Sequence, residues 1–181
     1  MEEIELMNCL RSERPDVYQH CKRTAHWSHK LAIAMDYPLD VAEDIRHAAE
    51  IHDIGKICVP SSILNKPGKL TQIETNVVNS HTNVCILDCF GFRSELNRYV
   101  AGNHHRHYSE ISKECAIVSV ADVFDALTSK RSYREPASPE DALMIMKINP
   151  RNDNLDPEII SILSNLITSP KLIFQRAESP F

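Results

Sequence analysis

Three amphipathic segments of the chain each carry a histidine in line with an apolar stripe of helical period. In the first segment the stripe advances in steps of three and four, and the same spacing carried backward reaches His20. The segments that begin near Asp40 and Thr71 continue their stripes into His52 and His81. A lone histidine on such a face is usually a core residue with a hydrogen bond. Three of them together favour a helical fold in which these faces meet around a shared polar site.

The rest of the sequence also favours helices. The chain has 181 residues, of which 43% are hydrophobic and only four are glycine, so it can build a substantial core and fits a helical protein better than a turn-rich β protein. We predict an all-α fold of about six or seven helices, the first running from about Pro15 to Met35. The helices form a single domain over residues 1–181, with its core over about 16–167 and a loose tail over 168–181.

Three sequence signals predict where helices begin or end. Gly55 follows the apolar stripe of the second helix and is expected to end it. Thr71 and Glu74 have the spacing of a capping box, which predicts a helix start. Ser138 followed by Pro139 predicts another, because serine is a good N-cap and proline suits the first helical position.

Charge, cysteine usage and hydropathy exclude several classes of protein. The net charge of −5 argues against a groove for a nucleic-acid duplex, which would be basic. The six cysteines include no Cys-x-x-Cys pair, which argues against a zinc ribbon and fits reduced thiols. No segment approaches the roughly 20 apolar residues of a membrane span, and the first residues lack the apolar run of a signal peptide. We expect a cytoplasmic protein.

Further groups with metal-binding chemistry join the three histidines. A histidine pair ends a shorter helical segment, and two aspartates lie in apolar surroundings. Imidazole and carboxylate ligands together suit Fe, Mn or Zn. Seven such groups exceed the needs of one tetrahedral site and would suit two adjacent metals. The candidate metal ligands are His20, His52, Asp53, His81, His104, His105 and Asp122.

Four motifs, in this order and at these distances, resemble a known family. The stretch "HDIGK" is followed by "VPSSILNKPGKLT", then by "NHH" and by "VADVFDALTSKRSYR". Together they are similar to the HD-GYP branch of the HD-domain metal-dependent phosphohydrolases, from about Asp16 to Ile167. The resemblance implies an HD-domain helical bundle that holds two divalent metal ions, Fe or Mn, with Asp53 bridging them.

The resemblance also implies a function. The chain would be a phosphodiesterase that opens a cyclic dinucleotide, cyclic di-GMP above all, to pGpG or GMP by means of a metal-bridged hydroxide. Asp53 and Lys56 would be catalytic, and Lys56, Arg131 and Arg134 would bind the substrate phosphates. The sequence shows no receiver, cyclase or sensor segment. Any regulation would therefore come from a separate regulatory or cyclase-domain protein, from a homodimer or from metal supply.

The chain departs from that family in two places. It has no Gly-Tyr-Pro element, and the loop after the histidine pair reads "RHYSEISKECA", without glycine or proline. Two alternatives therefore stand beside the phosphodiesterase: a catalytically impaired metal-containing module that binds a nucleotide or a partner, and a di-iron redox or oxygen-responsive protein. Asp16 stands where some members use glutamate for a third metal. It would either help to bind such a metal or act as a plain acid at a helix N-terminus.

The remaining polar residues receive simpler interpretations. Cys21 is offset from His20 by about 100° around the helix and is not counted as a ligand. Asp125, one turn after Asp122, is expected to make a structural hydrogen bond. Four histidines that match no ligand of the family are expected at the solvated surface: His26, His29, His47 and His107.

Overall fold

The computed structural model describes residues 2–130, 135–149 and 153–168, and these ranges are mostly helical. Among the residues described no strand forms, and one isolated parallel bridge joins Glu2 to Gly91. The predicted all-α fold is therefore confirmed. The α-helices of these ranges are α1 (Glu3–Glu13), α2 (Pro15–Ala34), α3 (Leu39–Ile51), α4 (Ser61–Leu64), α5 (Gln72–Asn79), α6 (Val84–Leu87), α7 (Glu95–Asn103), α8 (Lys113–Thr128), α9 (Pro139–Ile148) and α10 (Pro157–Thr168). Short 3-10 turns cover Ile54–Cys58, Ser80–Thr82 and Tyr108–Glu110.

Helix α1 was not predicted from the sequence. Its apolar signal is weak, because only Leu6 and Leu10 bury on its inner face. The helix is fixed instead by polar contacts. Glu2 and Glu5 form a capping box, and the buried Glu3 carboxylate accepts hydrogen bonds from the backbone of residue 93 and the side chain of residue 97. These partners lie about 90 residues away, so sequence periodicity could not reveal them.

The single helix predicted from Thr71 through His81 is wrong, because the chain breaks there. Helix α5 ends at Asn79, His81 lies in a 3-10 turn, and α6 begins after Asn83. Asn83 has an extended backbone, and its side chain accepts a hydrogen bond from the amide of residue 85, so it caps a new helix instead of continuing the old one. His81 is nevertheless buried, as its apolar neighbours had indicated. The extra helices raise the number above the six or seven predicted.

The prediction for Gly55 is also wrong. Helix α3 already ends at Ile51, and Gly55 lies inside the following 3-10 turn, without the positive φ of a helix-ending glycine. Gly55 instead allows its backbone to lie close to the backbone of His81. A Cβ atom at this position would lie 2.0 Å from the carbonyl oxygen of His81, which only the absence of a side chain can allow.

The long helices form the main core. Helix α2 packs against both α3 and α8, while α9 and α10 cover α8 and meet each other. Their apolar faces share one cluster, whose larger members include Leu31, Ile45, Ile117, Phe124 and Leu163. A smaller cluster joins α1, the start of α2 and the end of α3. Three candidate ligands, His20, His52 and Asp122, lie where α2, α8 and the end of α3 meet.

Other predictions fall at helix ends and at the chain terminus. The side chain of Ser138 caps α9, with Pro139 at the first position, and Thr71 and Glu74 form the predicted capping box of α5. The predicted tail lies, after Thr168, outside the described residues. In the part of the chain that the structure covers, no helix is both long enough and apolar enough for a membrane crossing.

Candidate metal centre

The candidate ligands come from two helix interiors and from the turns that follow other helices, and they meet in one buried cluster. His20 lies within α2 and Asp122 within α8, while His52 and Asp53 directly follow α3. Residues 104 and 105 follow α7. The side chains of His52, Asp53, His81 and His104 are almost inaccessible to solvent, and His105 is exposed. The cluster is therefore enclosed by the fold and opens toward solvent beside His105.

The Asp53 carboxylate lies between two sets of histidines. Its Oδ2 is 3.6 Å from His20 Nε2 and 3.5 Å from His52 Nε2. Its Oδ1 is 3.2 Å from His81 Nε2 and 3.9 Å from His104 Nε2. Each oxygen of one carboxylate thus faces a different pair of imidazoles.

Three groups of three described residues carry ligand atoms that all lie within 4.8 Å of one another, and two of these groups consist only of predicted ligands. His20, His52 and Asp122 form the first group, here called the α2 set. His81, His104 and His105 form the second, here called the α7 set. Atoms at these separations can all reach one ion at the usual metal–ligand distances of about 2.0–2.5 Å. All seven ligands predicted from the sequence are brought together in this way, with Asp53 between the two sets.

The side-chain chemistry also fits cations. His52 Nε2 and Asp53 Oδ1 are buried and have no hydrogen-bond partner among the described residues. Buried polar atoms are rarely left unpaired, and a metal bound by the surrounding donors would satisfy both. In His52, His81 and His104 the Nδ1 atom instead lies 2.6–3.0 Å from a backbone carbonyl, which leaves Nε2 directed into the cluster.

Electrostatics distinguish the two sets. Burial disfavours a charge on His52, yet the adjacent Asp53 carboxylate holds the pKa of His52 well above its ordinary value. Burial likewise opposes ionisation of Asp53 and Asp122. Lys56 and His52 nevertheless hold the pKa of Asp53 well below its usual range, and His20 and His52 do the same for the pKa of Asp122. Burial and neighbouring His105 lower the pKa of His104 well below its ordinary value. The two carboxylates thus attract positive charge, and His104 offers a neutral imidazole.

Lys56 lies at the edge of the cluster. Its ammonium group donates a hydrogen bond to Asp53 Oδ2, and the side chain is partly exposed. The 3-10 turn after α3 positions it, because residue 56 stands three residues after residue 53. Arg131 and Arg134, the other predicted phosphate ligands, lie outside the described residues, so their role stays a prediction.

Two residues stand closer to the cluster than their sequence interpretation suggested. Cys21 is fully buried, and its sulfur lies within 4.8 Å of ligand atoms of His52 and Asp53. Packing of α2 against the end of α3 produces this proximity, which the helical offset from His20 did not predict. Asp125 makes the hydrogen bond expected of it, and its partner is His20 itself, at 2.7 Å.

The other sequence candidates lie away from the cluster. His26 and His107 are exposed, whereas His29 and His47 are half-buried and contact glutamates of α3. Asp16 is exposed in the first turn of α2 and belongs to none of the groups that could hold a metal among the described residues. A third metal near Asp16 therefore stays a prediction.

The loop after the histidine pair is short and folded. It contains the turn Tyr108–Glu110, and the Tyr108 amide donates a hydrogen bond to the Asn154 carbonyl at 2.9 Å. The Ser119 hydroxyl donates to the carbonyl of His104 at 2.5 Å and so ties α8 to the α7 set. The loop is thus tied to the segment before α10, and the histidine pair is tied to α8.

Comparisons with known proteins agree on the class of domain. The model of the HD domain family matches residues 5–159. A 3'3'-cGAMP-specific phosphodiesterase of Vibrio cholerae is 30% identical over 175 residues, which cover 87% of this chain and 33% of that protein. A cyclic di-GMP phosphodiesterase of Thermotoga maritima is 33% identical over 162 residues, covering 78% of this chain and 42% of its own length. The chain thus spans less than half the length of these relatives.

One solved structure has the same fold. The HD domain of the Listeria monocytogenes phosphodiesterase PgpH, in complex with cyclic-di-AMP, superposes with a TM-score of 0.64 and 17% identity. The superposition covers 98% of this chain and 99% of that one. At this identity the similarity establishes the fold.

Proposed function

The chain belongs to the HD domain family, and on this premise we propose that it is a metal-dependent phosphodiesterase that hydrolyses a cyclic dinucleotide, cyclic di-GMP first among them. The observation that carries the proposal is the position of Asp53 between the α2 and α7 sets, with Lys56 bound to the same carboxylate. The cyclic dinucleotide phosphodiesterases among its relatives support this choice of substrate class.

In this proposal the two ligand sets would bind metal, and the basic side chains would bind phosphate. The α2 and α7 sets would each hold one divalent cation, Fe(II) or Mn(II), with one Asp53 oxygen toward each. Such a pair of ions polarises a phosphoryl oxygen and lowers the pKa of a bound water. Lys56, at the rim of the cluster, would donate to a phosphate oxygen as negative charge develops there. The predicted phosphate contacts of Arg131 and Arg134 would add to this positive rim.

The opening of the cluster fits a substrate that approaches from solvent. His105 is the exposed member of the ligand sets, and Lys56 is partly exposed, whereas Asp53 and His52 are buried. A phosphodiester could therefore reach the metals at His105, while the core excludes water from the far side of Asp53. An ammonium group beside this opening favours phosphate chemistry over a di-iron redox role.

The direct test is hydrolysis of cyclic di-GMP, 3'3'-cGAMP and cyclic di-AMP by anaerobically prepared protein that carries Fe(II) or Mn(II). We expect linear product, no product from Asp53→Ala, and a loss in kcat of about a hundredfold or more from Lys56→Ala. Lys22→Ala is the matched control, because Lys22 pairs with Glu50 away from the cluster and its loss removes the same charge. Absence of product from all three substrates, with two metals bound, would contradict the proposal.

The short loop after His105 favours a second candidate, a metal-containing module that binds a cyclic dinucleotide without turnover. The loop lacks the Gly-Tyr-Pro element and is held by Asn154. Binding without product, measured on the same metal-containing protein, would support this candidate. Binding followed by product would exclude it.

A further inference from the structure

The four most buried candidate ligand histidines differ in the group that their Nδ1 atom contacts. His52, His81 and His104 each follow the end of a helix, and each Nδ1 contacts a carbonyl three or four residues earlier. Each of these carbonyls lies in the last turn of its helix, and its oxygen has two lone pairs, so it can accept from an imidazole as well as from a backbone amide. Local helix ends therefore fix three of the four rings.

The Nδ1 atom of His20 has a different partner. His20 lies inside α2, where the preceding carbonyls accept helical hydrogen bonds. Its Nδ1 instead lies 2.7 Å from Oδ2 of Asp125, a carboxylate from α8, while its Nε2 lies 2.9 Å from Asp122 Oδ1 in the cluster. Asp125 is thus placed behind His20, on the side away from the metal ligands.

Asp125 is itself held in place. Arg23, one turn after His20 on α2, donates from Nε to Oδ1 at 2.7 Å and from Nη2 to Oδ2 at 3.1 Å. The Ser129 hydroxyl donates to Oδ1 at 3.0 Å. This fork of parallel hydrogen bonds fixes the plane of the carboxylate. With both oxygens bound to His20, Arg23 and Ser129, Asp125 is not free to turn toward a metal as a ligand.

We propose that Arg23 and Asp125 form a positioning pair that orients His20 and sets the metal affinity of the α2 set, leaving the α7 set unaffected. An anionic acceptor keeps the proton of His20 on Nδ1 and leaves the Nε2 lone pair for the ion. A carboxylate does this more strongly than the carbonyls that support the other histidines. The proposal rests on the metal binding in the proposed function. It assigns the affinity of one metal site to two residues that lie outside both ligand sets.

The test is titration of the metal-depleted protein with Mn(II), followed by calorimetry and by the electron paramagnetic resonance of the coupled Mn(II) pair. We expect Asp125→Asn to weaken one of the two metal equivalents by about 10- to 100-fold and to abolish the coupled signal at limiting metal. Arg23→Gln should weaken the same equivalent by a smaller factor. His105→Ala, a variant of the α7 set, should weaken the other equivalent.

Asp156→Asn is the control for a merely structural ion pair. Asp156 is a buried carboxylate that pairs with Lys113 at 3.0 Å and lies outside both ligand sets, so its loss should lower the Tm and leave both affinities unchanged. The proposal is overturned if Asp125→Asn changes both affinities equally, or if it changes neither by more than about twofold. If Asp125→Asn does not fold, Arg23→Gln decides, because it keeps the carboxylate.

This titration needs no substrate. A wild-type protein that binds two Mn(II) ions but hydrolyses no cyclic dinucleotide would overturn the proposed activity, while the response of each equivalent to Asp125→Asn would still decide the positioning pair.

Discussion

At the scale of single residues, Gly55 allows two turns beside the cluster to lie in close backbone contact. The turn that contains Gly55 lies directly against the turn that contains His81, and no Cβ atom fits between them. The first turn also carries Lys56 and follows Asp53, so the contact fixes His81 of the α7 set relative to the Asp53 carboxylate.

Gly55→Ala should separate these two turns. The new methyl group would lie 2.0 Å from the carbonyl oxygen of His81 and 2.8 Å from its carbonyl carbon, which are backbone atoms that cannot rotate away. We expect a destabilisation of about 1–3 kcal/mol and weaker binding of the metal held by the α7 set. Thermal unfolding and metal analysis after dialysis measure the two effects.

Gly102→Ala is the matched control for that prediction. A Cβ at Gly102 meets its nearest atom, of Leu87, at an ordinary 3.4 Å, and the residue lies in α7. Alanine should therefore be neutral or slightly stabilising there. If Gly55→Ala retained full metal content and stability, the close approach would not position His81.

At the scale of elements, the sequence predicted the long helices better than their ends. The apolar period of α2, α3 and α10 was clear because each buries one broad face, whereas α8 was clear as a long apolar segment because it is buried on most sides. The turns around Gly55 and His81 were predicted wrongly, since their conformation depends on contact between two distant segments. The seven candidate ligands were chosen by residue type and motif, and the fold brings them into one cluster. The support of His20 by Asp125 was not predicted, because these residues are 105 positions apart and only the packing of α2 on α8 joins them.

The capping box of α5 makes the stability of the protein depend on pH through one residue, Glu74. Glu74 accepts hydrogen bonds from Lys66 and from the Thr71 amide, and these hold its pKa at about 2, below the ordinary value of 4.5. A carboxyl with a depressed pKa stabilises the fold above its ordinary pKa, and this contribution is lost as the pH falls through about 2. Glu74→Gln should therefore lower the Tm above pH ~5, with a difference from the wild type that shrinks toward pH ~2.

Comparison of variants at each pH separates this effect from the titration of the metal ligands, which is common to all of them. Glu140→Gln removes another acid from the first turn of a helix, α9, at a position outside the capping pair of that helix. Its Tm should differ little from that of the wild type over the same range. A constant difference between Glu74→Gln and the wild type down to pH ~2 would show that Glu74 acts without its charge.

At the scale of the whole molecule, the cluster connects two parts of the fold. The α2 set comes from helices α2 and α8 and the end of α3, which share the main core. The α7 set comes from the segment around residues 80–105, whose short helices bury few residues of their own. Asp53 faces both sets, so metal ions bound there would hold this segment against the core.

Removal of metal should therefore lower the stability of the entire domain. At a free metal concentration of about a hundred times Kd, one bound ion stabilises the native state by about 2.7 kcal/mol, which corresponds to a rise in Tm of roughly 5–10 °C for a chain of this length. We expect a chelator to lower the Tm by at least this amount and Mn(II) to restore it. Asp53→Ala should show no such response, because it removes the ligand shared by both sets. An equal shift in the wild type and in Asp53→Ala would mean that the metal acts elsewhere on the protein. A shift confined to the wild type would establish the cluster as a structural junction as well as the proposed site of chemistry.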